Sequence, residues 1–220
     1  MKRELVSYPK SGRTWLRYML VQMGQASLIE FHHDGFEFND GRKPRLDFDT
    51  AKRINRYSPA DRVIYLERDP RDVMVSLFHQ VTGRFKDFFD YRGTMSEFLR
   101  DPYFVAQNLH RFRKMWNDIA DRKGFLKITY EGLHQDTFSA LKIAVAYLDL
   151  DVDDSLIRRA IEASTIDRMR AVEDAGDFQE PWLRKRNGAS KVRRGVVGGF
   201  RSEITHCDVE YLDDVFGLSA

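Results

Sequence analysis

Lys10, Ser11 and Thr14 gather around Gly12, an ammonium and two hydroxyls beside a residue that is free to turn. Further along, Arg68 and Ser76 offer a guanidinium and a hydroxyl. All of these groups donate hydrogen bonds. The chemistry they suit is recognition of an anion, phosphate above all. His32 and His33 add the kind of side chain that can take up a proton near neutral pH.

Local structure must bring these groups together. Leu5 to Tyr8 is short, apolar and compatible with a strand. Pro9 to Arg13 cannot continue that strand, because Pro removes a donor and Gly weakens the pleat. From Thr14 onward Trp15, Leu16, Met19, Leu20 and Met23 recur at helical steps, to about Gln25. Strand, tight loop and helix in that order aim free backbone N–H groups and the positive end of a helix dipole at one point. Lys10 adds a mobile charge there. The order of residues is not that of a Walker A loop, in which Lys follows the second Gly directly; here Lys10 precedes Gly12.

Leu28 to His32 reads as a second strand, with His33, Asp34 and Gly35 at its carboxyl end, where open α/β sheets bind ligands. Neighbouring strand residues face opposite ways, so only one of His32 and His33 can look into the crevice. His33 is chosen as the general base because the Asp34-Gly35 turn would hold it at the crevice mouth, with His32 second. Residues 36–50 read as loop and Thr50 to Tyr57 as a short helix. Arg62 to Arg68 is the clearest strand. Asp69-Pro70-Arg71-Asp72 then opens a helix, with Pro in the first turn and Asp where the dipole favours it. Arg68 and Ser76 share one side of that junction and form a second phosphate site. Residues 84–92 mix aromatics with charge, as a lid over an acceptor pocket or a loop docked on the core. Met95 to Arg100 and Tyr103 to Ala120 read as helices, Phe125 to Tyr130 as a strand, and Phe138 to Leu148 and Ser155 to Ala163 as amphipathic helices. Ala171 to Gly199 has little periodicity and holds six basic residues.

Composition limits the partners. The chain has 220 residues, 42% hydrophobic and 32% charged, with a net charge of +2. That is enough for one α/β domain with a real core. No global field favours nucleic acid, so an anion site must be local. A single cysteine, Cys207, excludes an internal disulfide and fits a reducing compartment. There is no signal-peptide pattern, and no apolar run approaches membrane-spanning length. The expectation is a cytoplasmic protein without a metal-ligand cluster.

The loop Pro9-Lys10-Ser11-Gly12-Arg13-Thr14-Trp15 resembles the 5′-phosphosulfate loop of sulfotransferases that use 3′-phosphoadenosine 5′-phosphosulfate (PAPS). Glu67-Arg68-Asp69-Pro70-Arg71-Asp72, continuing to Ser76, resembles that family's 3′-phosphate motif, with Arg68 and Ser76 at its two phosphate-holding positions. Lys127 to Leu133 resembles its Y-E-D-L segment, whose Tyr, here Tyr130, approaches the adenine. Ser164-Thr165-Ile166-Asp167 resembles T-S-F-D, with Ser164 for Thr and Ile166 for Phe. Val192 to Arg201 resembles the R-K-G-x-x-G-D-W-K loop, with Arg194 for Lys, Gly199 for Asp and Phe200 for Trp. Arg201, Thr205 and Glu210 keep the spacing of the family's dimer segment, which implies a homodimer.

The resemblance spans residues 5 to about 210. It implies a three-layer α/β/α fold with a mostly parallel sheet, like the P-loop NTPases, formed by residues 1–220 as one sulfotransferase domain. It implies transfer of the sulfuryl group of PAPS to an acceptor hydroxyl or amine, without a metal and without the membrane anchor of Golgi-type members. Lys10 would serve catalysis beside His33 or His32. Ser11, Gly12, Arg13, Thr14, Trp15, Arg68, Ser76, Tyr130, Ser164, Ile166, Arg193, Arg194 and Gly195 would hold the nucleotide. The acceptor could be a small molecule, a saccharide or lipid-linked. The chain is shorter than usual cytosolic members between Gly24 and Arg68, where acceptor loops would lie. The family's base lies in a K-T-H segment, and its Lys is absent here. Two other readings stay open: a kinase using ATP, which would need an Asp such as Asp69 for Mg²⁺, and a protein that binds the nucleotide without turnover.

Overall fold

A computed structural model describes residues 1–41, 46–104, 106–176 and 178–218. Residues 42–45, within the expected loop of residues 36–50, lie outside them, as does residue 105 within the expected helix from Tyr103. The strands are β1 (Arg3–Ser7), β2 (Glu30–His32), β3 (Arg62–Glu67) and β4 (Leu126–Thr129), in the order β2-β1-β3-β4. Every neighbouring pair is parallel: Val6 lies opposite His32 and Tyr65, and Glu67 opposite Thr129.

Alternation along the strands builds two cores. Val6, Val63 and Tyr65 face one way, into a layer formed with α3 (Pro70–His79), α6 (Ala106–Lys123) and α11 (His206–Phe216). Leu5, Ile64, Leu66 and Ile128 face the other way, onto α1 (Arg13–Gln22), α8 (Thr137–Tyr147) and α9 (Asp154–Ala163). Period-two patterning with both faces covered gives three layers, as expected for a parallel sheet. The expected stripe of α6 is fully internal: Leu109, Phe112, Met115, Trp116 and Ile119 are all buried. Each such side chain contributes about 1.5–3 kcal/mol by leaving water.

The remaining helices are α2 (Thr50–Ile54), α4 (Lys86–Phe89), α5 (Met95–Arg100), α7 (Tyr130–Gln135) and α10 (Ile166–Ala175). Several boundaries shift from the sequence reading. A 3-10 turn at Ala26–Leu28 takes the start of the expected second strand, leaving only Glu30–His32. The expected strand end at Tyr130 is instead the first residue of α7, capped by the Thr129 hydroxyl on the N–H of Gly132. Residues 171–175, read as aperiodic, continue α10 until Gly176 ends it with φ 72°. That helix buries only Met169 and Glu173, so its apolar stripe is too thin to read. Residues 84–92 are in part a segment docked on the core. Phe89 and Tyr91 pack against the core, while Arg84 and Phe85 reach the crevice described next.

Candidate active site

The carboxyl ends of the parallel strands open into a cavity of about 710 Å³. Its wall carries Lys10, Gly12, Arg13, Thr14, Trp15, His33, Arg68, Ser76, Tyr130, Ser164, Ile166, Arg193, Arg194 and Gly195. Of the residues singled out from sequence, only Ser11 and His32 are off that wall. Ser11 is buried, and its N–H donates to the Tyr8 carbonyl at 3.3 Å, closing the turn after β1.

Backbone geometry explains the loop composition. Gly12 caps α1 at φ 96°, and a Cβ there would lie 2.2 Å from the Tyr130 ring. Only glycine meets both conditions. Lys10 also takes a left-handed conformation, φ 74°, which costs a non-glycine residue about 1–3 kcal/mol. The strain coincides with a side chain on the cavity wall that has neither a hydrogen bond nor an ion pair among the described residues. Burial, then the charges of Lys191, Arg84, Arg68 and Arg193, pushes the pKa of Lys10 well below its ordinary 10.5. Several cationic side chains thus converge on one part of the cavity wall, an arrangement that favours an anion.

Arg68 leaves β3 and lies 4.3 Å over the Tyr130 ring. It donates to the carbonyl of Val196 at 3.0 Å and pairs with Asp72 at 3.3 Å, yet its buried Nε has no partner among the described residues. An unused buried guanidinium donor on the wall suits an incoming oxygen. Arg193 and Arg194 come from the loop before α11, held by Glu203 at 2.7 and 3.1 Å. The loop is fixed from beneath. Asp72 accepts the N–H groups of Gly198 at 2.8 Å and Phe200 at 2.9 Å. A carboxylate on α3 thus anchors a loop that has Gly at 199.

The aromatic side is continuous. Trp15 meets Tyr130 edge-on at 5.9 Å and His134 at 4.6 Å, and its indole N–H donates to the Ser164 carbonyl at 2.9 Å. Gly195 lies against Ile166, whose Cδ1 would be 2.4 Å from a Cβ at that position. Trp15, Tyr130, Ser164 and Ile166 therefore form one apolar slot under the 193–195 loop.

The two histidines diverge, although only His32 lies in β2 and His33 is the first residue beyond it. The Nε2 of His32 contacts the buried Glu4 carboxylate of the neighbouring strand β1 at 3.0 Å, and Glu4 also accepts from the Tyr57 hydroxyl at 2.8 Å. His33 faces the cavity. Its Nδ1 lies 2.7 Å from the Ser7 carbonyl, a bond that requires an N–H at Nδ1 and leaves a lone pair on Nε2. Burial, then the positive charge of Arg13, holds its pKa well below 6.5. The turn behind it is rigid. Asp34 at φ 53° and Gly35 at φ 85° are both left-handed. The Asp34 carboxylate pairs with the buried Arg53 and with Arg56 at 3.1 Å, and accepts the Trp116 N–H at 3.1 Å. His79, His110 and His206 are off the wall, and His134 is on it, against Trp15.

Sequence reasoning missed Lys191 and Arg84, both on the wall. Burial, then the charges of Arg84 and Arg13, pushes the pKa of Lys191 down to about 7. Its position was visible only as one of six basic residues in an aperiodic stretch, with no spacing to single it out.

A positively charged crevice at the ends of parallel strands, with a glycine-turned loop feeding a helix N-terminus, is chemically suited to an anion such as phosphate. The Sulfotransferase domain family model matches residues 4–219, and the chain belongs to that family. Among curated relatives, human Sulfotransferase 2B1 is 27% identical over 96% of this chain. The chain spans only 64% of that relative's length. Rabbit (Oryctolagus cuniculus) Amine sulfotransferase is 24% identical over 96% of the chain and 78% of the relative. The solved structure of mouse sulfotransferase SULT7A1 complexed with PAP superposes with a TM-score of 0.70 at 21% identity, covering 99% of this chain and 82% of that one. Retinol dehydratase complexed with retinol and PAP gives a TM-score of 0.70 at 16% identity, covering 98% and 80%. These likenesses establish the shared fold.

Proposed function

We propose that this chain transfers the sulfuryl group of PAPS to an acceptor hydroxyl or amine and releases 3′-phosphoadenosine 5′-phosphate (PAP). The observation that carries the reading is the presence on one cavity wall of Lys10, whose side chain has no partner among the described residues, and of His33, whose Nε2 is left free to accept a proton. The Gly12 cradle and the open Nε of Arg68 fit a phosphorylated donor substrate. Arg68, Ser76, Arg193 and Arg194 would bind its 3′-phosphate, and the loop from Ser11 to Thr14 its 5′-phosphosulfate. Trp15, Tyr130, Ser164 and Ile166 would enclose the adenine.

The reaction is an in-line displacement at sulfur. His33 Nε2 takes the acceptor proton as the acceptor oxygen bonds to sulfur. The bond from sulfur to the bridging oxygen breaks, and its electron pair leaves with the 5′-phosphate. Lys10 and the N–H groups of the loop meet the charge that builds on that oxygen, the largest usual source of rate. The kinase reading finds no support, because the Asp69 carboxylate is taken by the N–H and guanidinium of Arg71, the latter at 2.7 Å.

Residues 1–220 are read as one domain, supported by two cores on opposite faces of one sheet. No helix among the described residues is long and apolar enough to cross a membrane. A cytoplasmic location belongs to this proposal. So does a homodimer through residues 201–210, where Thr205 caps α11. A small-molecule acceptor is favoured over a saccharide or lipid-linked one, because the relatives include enzymes named for hydroxysteroid and amine substrates.

Two outcomes check the donor. PAP should raise the melting temperature by several degrees at concentrations where ATP with Mg²⁺ hardly moves it, since stabilisation follows RT ln(1 + [L]/Kd). Equal shifts would remove the basis for the reading. Arg68→Ala should weaken PAP binding by about 1.5–3 kcal/mol, the worth of a charged hydrogen bond. Adenosine 5′-phosphate, lacking the 3′-phosphate, should bind the variant and the parent alike in titration calorimetry.

A further inference from the structure

The nucleotide reading leaves cations on the cavity wall without a task. Arg84 ends the π-helical turn Gln80–Arg84 that follows α3. It is 6% exposed. Its Nη1 donates to the Arg184 carbonyl at 2.7 Å and pairs with Glu173 at 3.5 Å, but its buried Nε has no acceptor among the described residues. Lys191 lies on the same wall, and its Nζ has neither a hydrogen bond nor an ion pair among them. Trp182, also on the wall, has a buried indole N–H with no acceptor among them. Arg13 adds charge next to both His33 and Lys191.

The nearby carboxylates do not occupy these donors. Glu173 accepts the backbone N–H groups of Lys191 and Val192 as well as pairing with Arg84. Glu37 accepts from the N–H of His33 at 3.3 Å, and Glu180 sits 3.8 Å from Arg17. Arg186 is satisfied separately by Asp87 at 2.7 Å and lies over the Phe85 and Phe88 rings. Phe85, with Arg84 5.8 Å from its ring, adds an aromatic surface on this part of the wall.

Resting on the sulfotransferase reading, we infer that the acceptor is itself an anion: a small molecule that places a hydroxyl at His33 and a carboxylate, phosphate or sulfate against Arg84, Lys191 and the Trp182 N–H. Buried donors without acceptors favour a ligand that supplies oxygens, and discriminate against one that cannot. The aromatic surface suits a planar frame between the two polar ends. Transfer balances as before, with the acidic group a spectator.

The test uses 4-hydroxyphenylacetate, 4-hydroxybenzylphosphonate and the methyl ester of the first, each titrated into the whole chain with and without saturating PAP. The acids should bind at least tenfold more tightly than the neutral ester, and the stronger of the two identifies the anion preferred. Lys191→Met should cut that preference about tenfold while the thermal shift with PAP persists. Arg84→Met should act likewise, and Lys191→Met carries the test if loss of the Glu173 partner unfolds the Arg84 variant. Equal binding of acid and ester, or no binding of any probe, overturns the inference. So does a loss of PAP binding in Lys191→Met, which would give these cations to the nucleotide. Acid binding to a chain that ignores PAP would retain the anion site and sink the sulfotransferase reading instead.

Discussion

His33→Ala is expected to abolish measurable transfer while PAP binds almost as tightly as before. Loss of a positioned base costs about 100- to 10,000-fold in rate. The imidazole is fixed by the Ser7 carbonyl and by the turn that Asp34 locks to Arg53 and Trp116. His32→Ala should behave differently. It leaves Glu4 without its imidazole partner and should lower thermal stability more than turnover. If His32→Ala were the inactive variant, the register of β2 would be wrong by one residue. The pH profile carries a second expectation. Because burial and Arg13 hold the pKa of His33 well below 6.5, its basic form persists through neutrality. Protonation of this residue should therefore cost rate only as pH falls well below 6.5. The same sign governs stability: the folded state binds fewer protons here than the unfolded chain, so this contribution is present at neutral pH and lost on acidification.

Lys10→Ala is expected to lower kcat about 100- to 1,000-fold, in the range of a lost donor to a developing negative charge. KM for PAPS should rise far less, because the charge on the bridging oxygen is greatest in the transition state. An effect confined to KM would make Lys10 a nucleotide anchor. Proton counting gives an independent check. Lys10 in the free protein has a pKa well below 10.5, and bound phosphate restores its preference for the charged form. PAP binding should take up protons at alkaline pH, measured by calorimetry in buffers of different ionisation enthalpy. Lys10→Ala should reduce that uptake.

Much of this site could be read from the chain because its determinants are local. The turn between β1 and α1 is written in Pro9, Lys10 and Gly12, and backbone sterics leave glycine as the residue for φ 96° against Tyr130. Arg68 and Ser76 are placed by one strand and the helix that follows it, whereas His33 lies one residue beyond β2 and is held at the cavity by the Ser7 carbonyl. Long-range features were hidden. Lys191 and Arg84 are far apart in sequence and meet only through Glu173, which binds the backbone of one and the side chain of the other. The anchoring of the 193–200 loop by Asp72 was likewise invisible, since that carboxylate reads locally as a favourable charge in the first turn of α3. The weakly patterned α10 is absent from the sequence reading for a plainer reason: only two of its residues are buried.

The most direct measurement is transfer itself. PAPS carrying labelled sulfate is incubated with the purified chain and a panel of phenols, alcohols and amines, and the products are resolved by mass spectrometry. The account predicts label on an acceptor oxygen or nitrogen, with one PAP formed for each acceptor modified, no requirement for Mg²⁺, and no product from His33→Ala. PAP-dependent stabilisation without transfer to any acceptor, or phosphoryl transfer from ATP in the same panel, would contradict it.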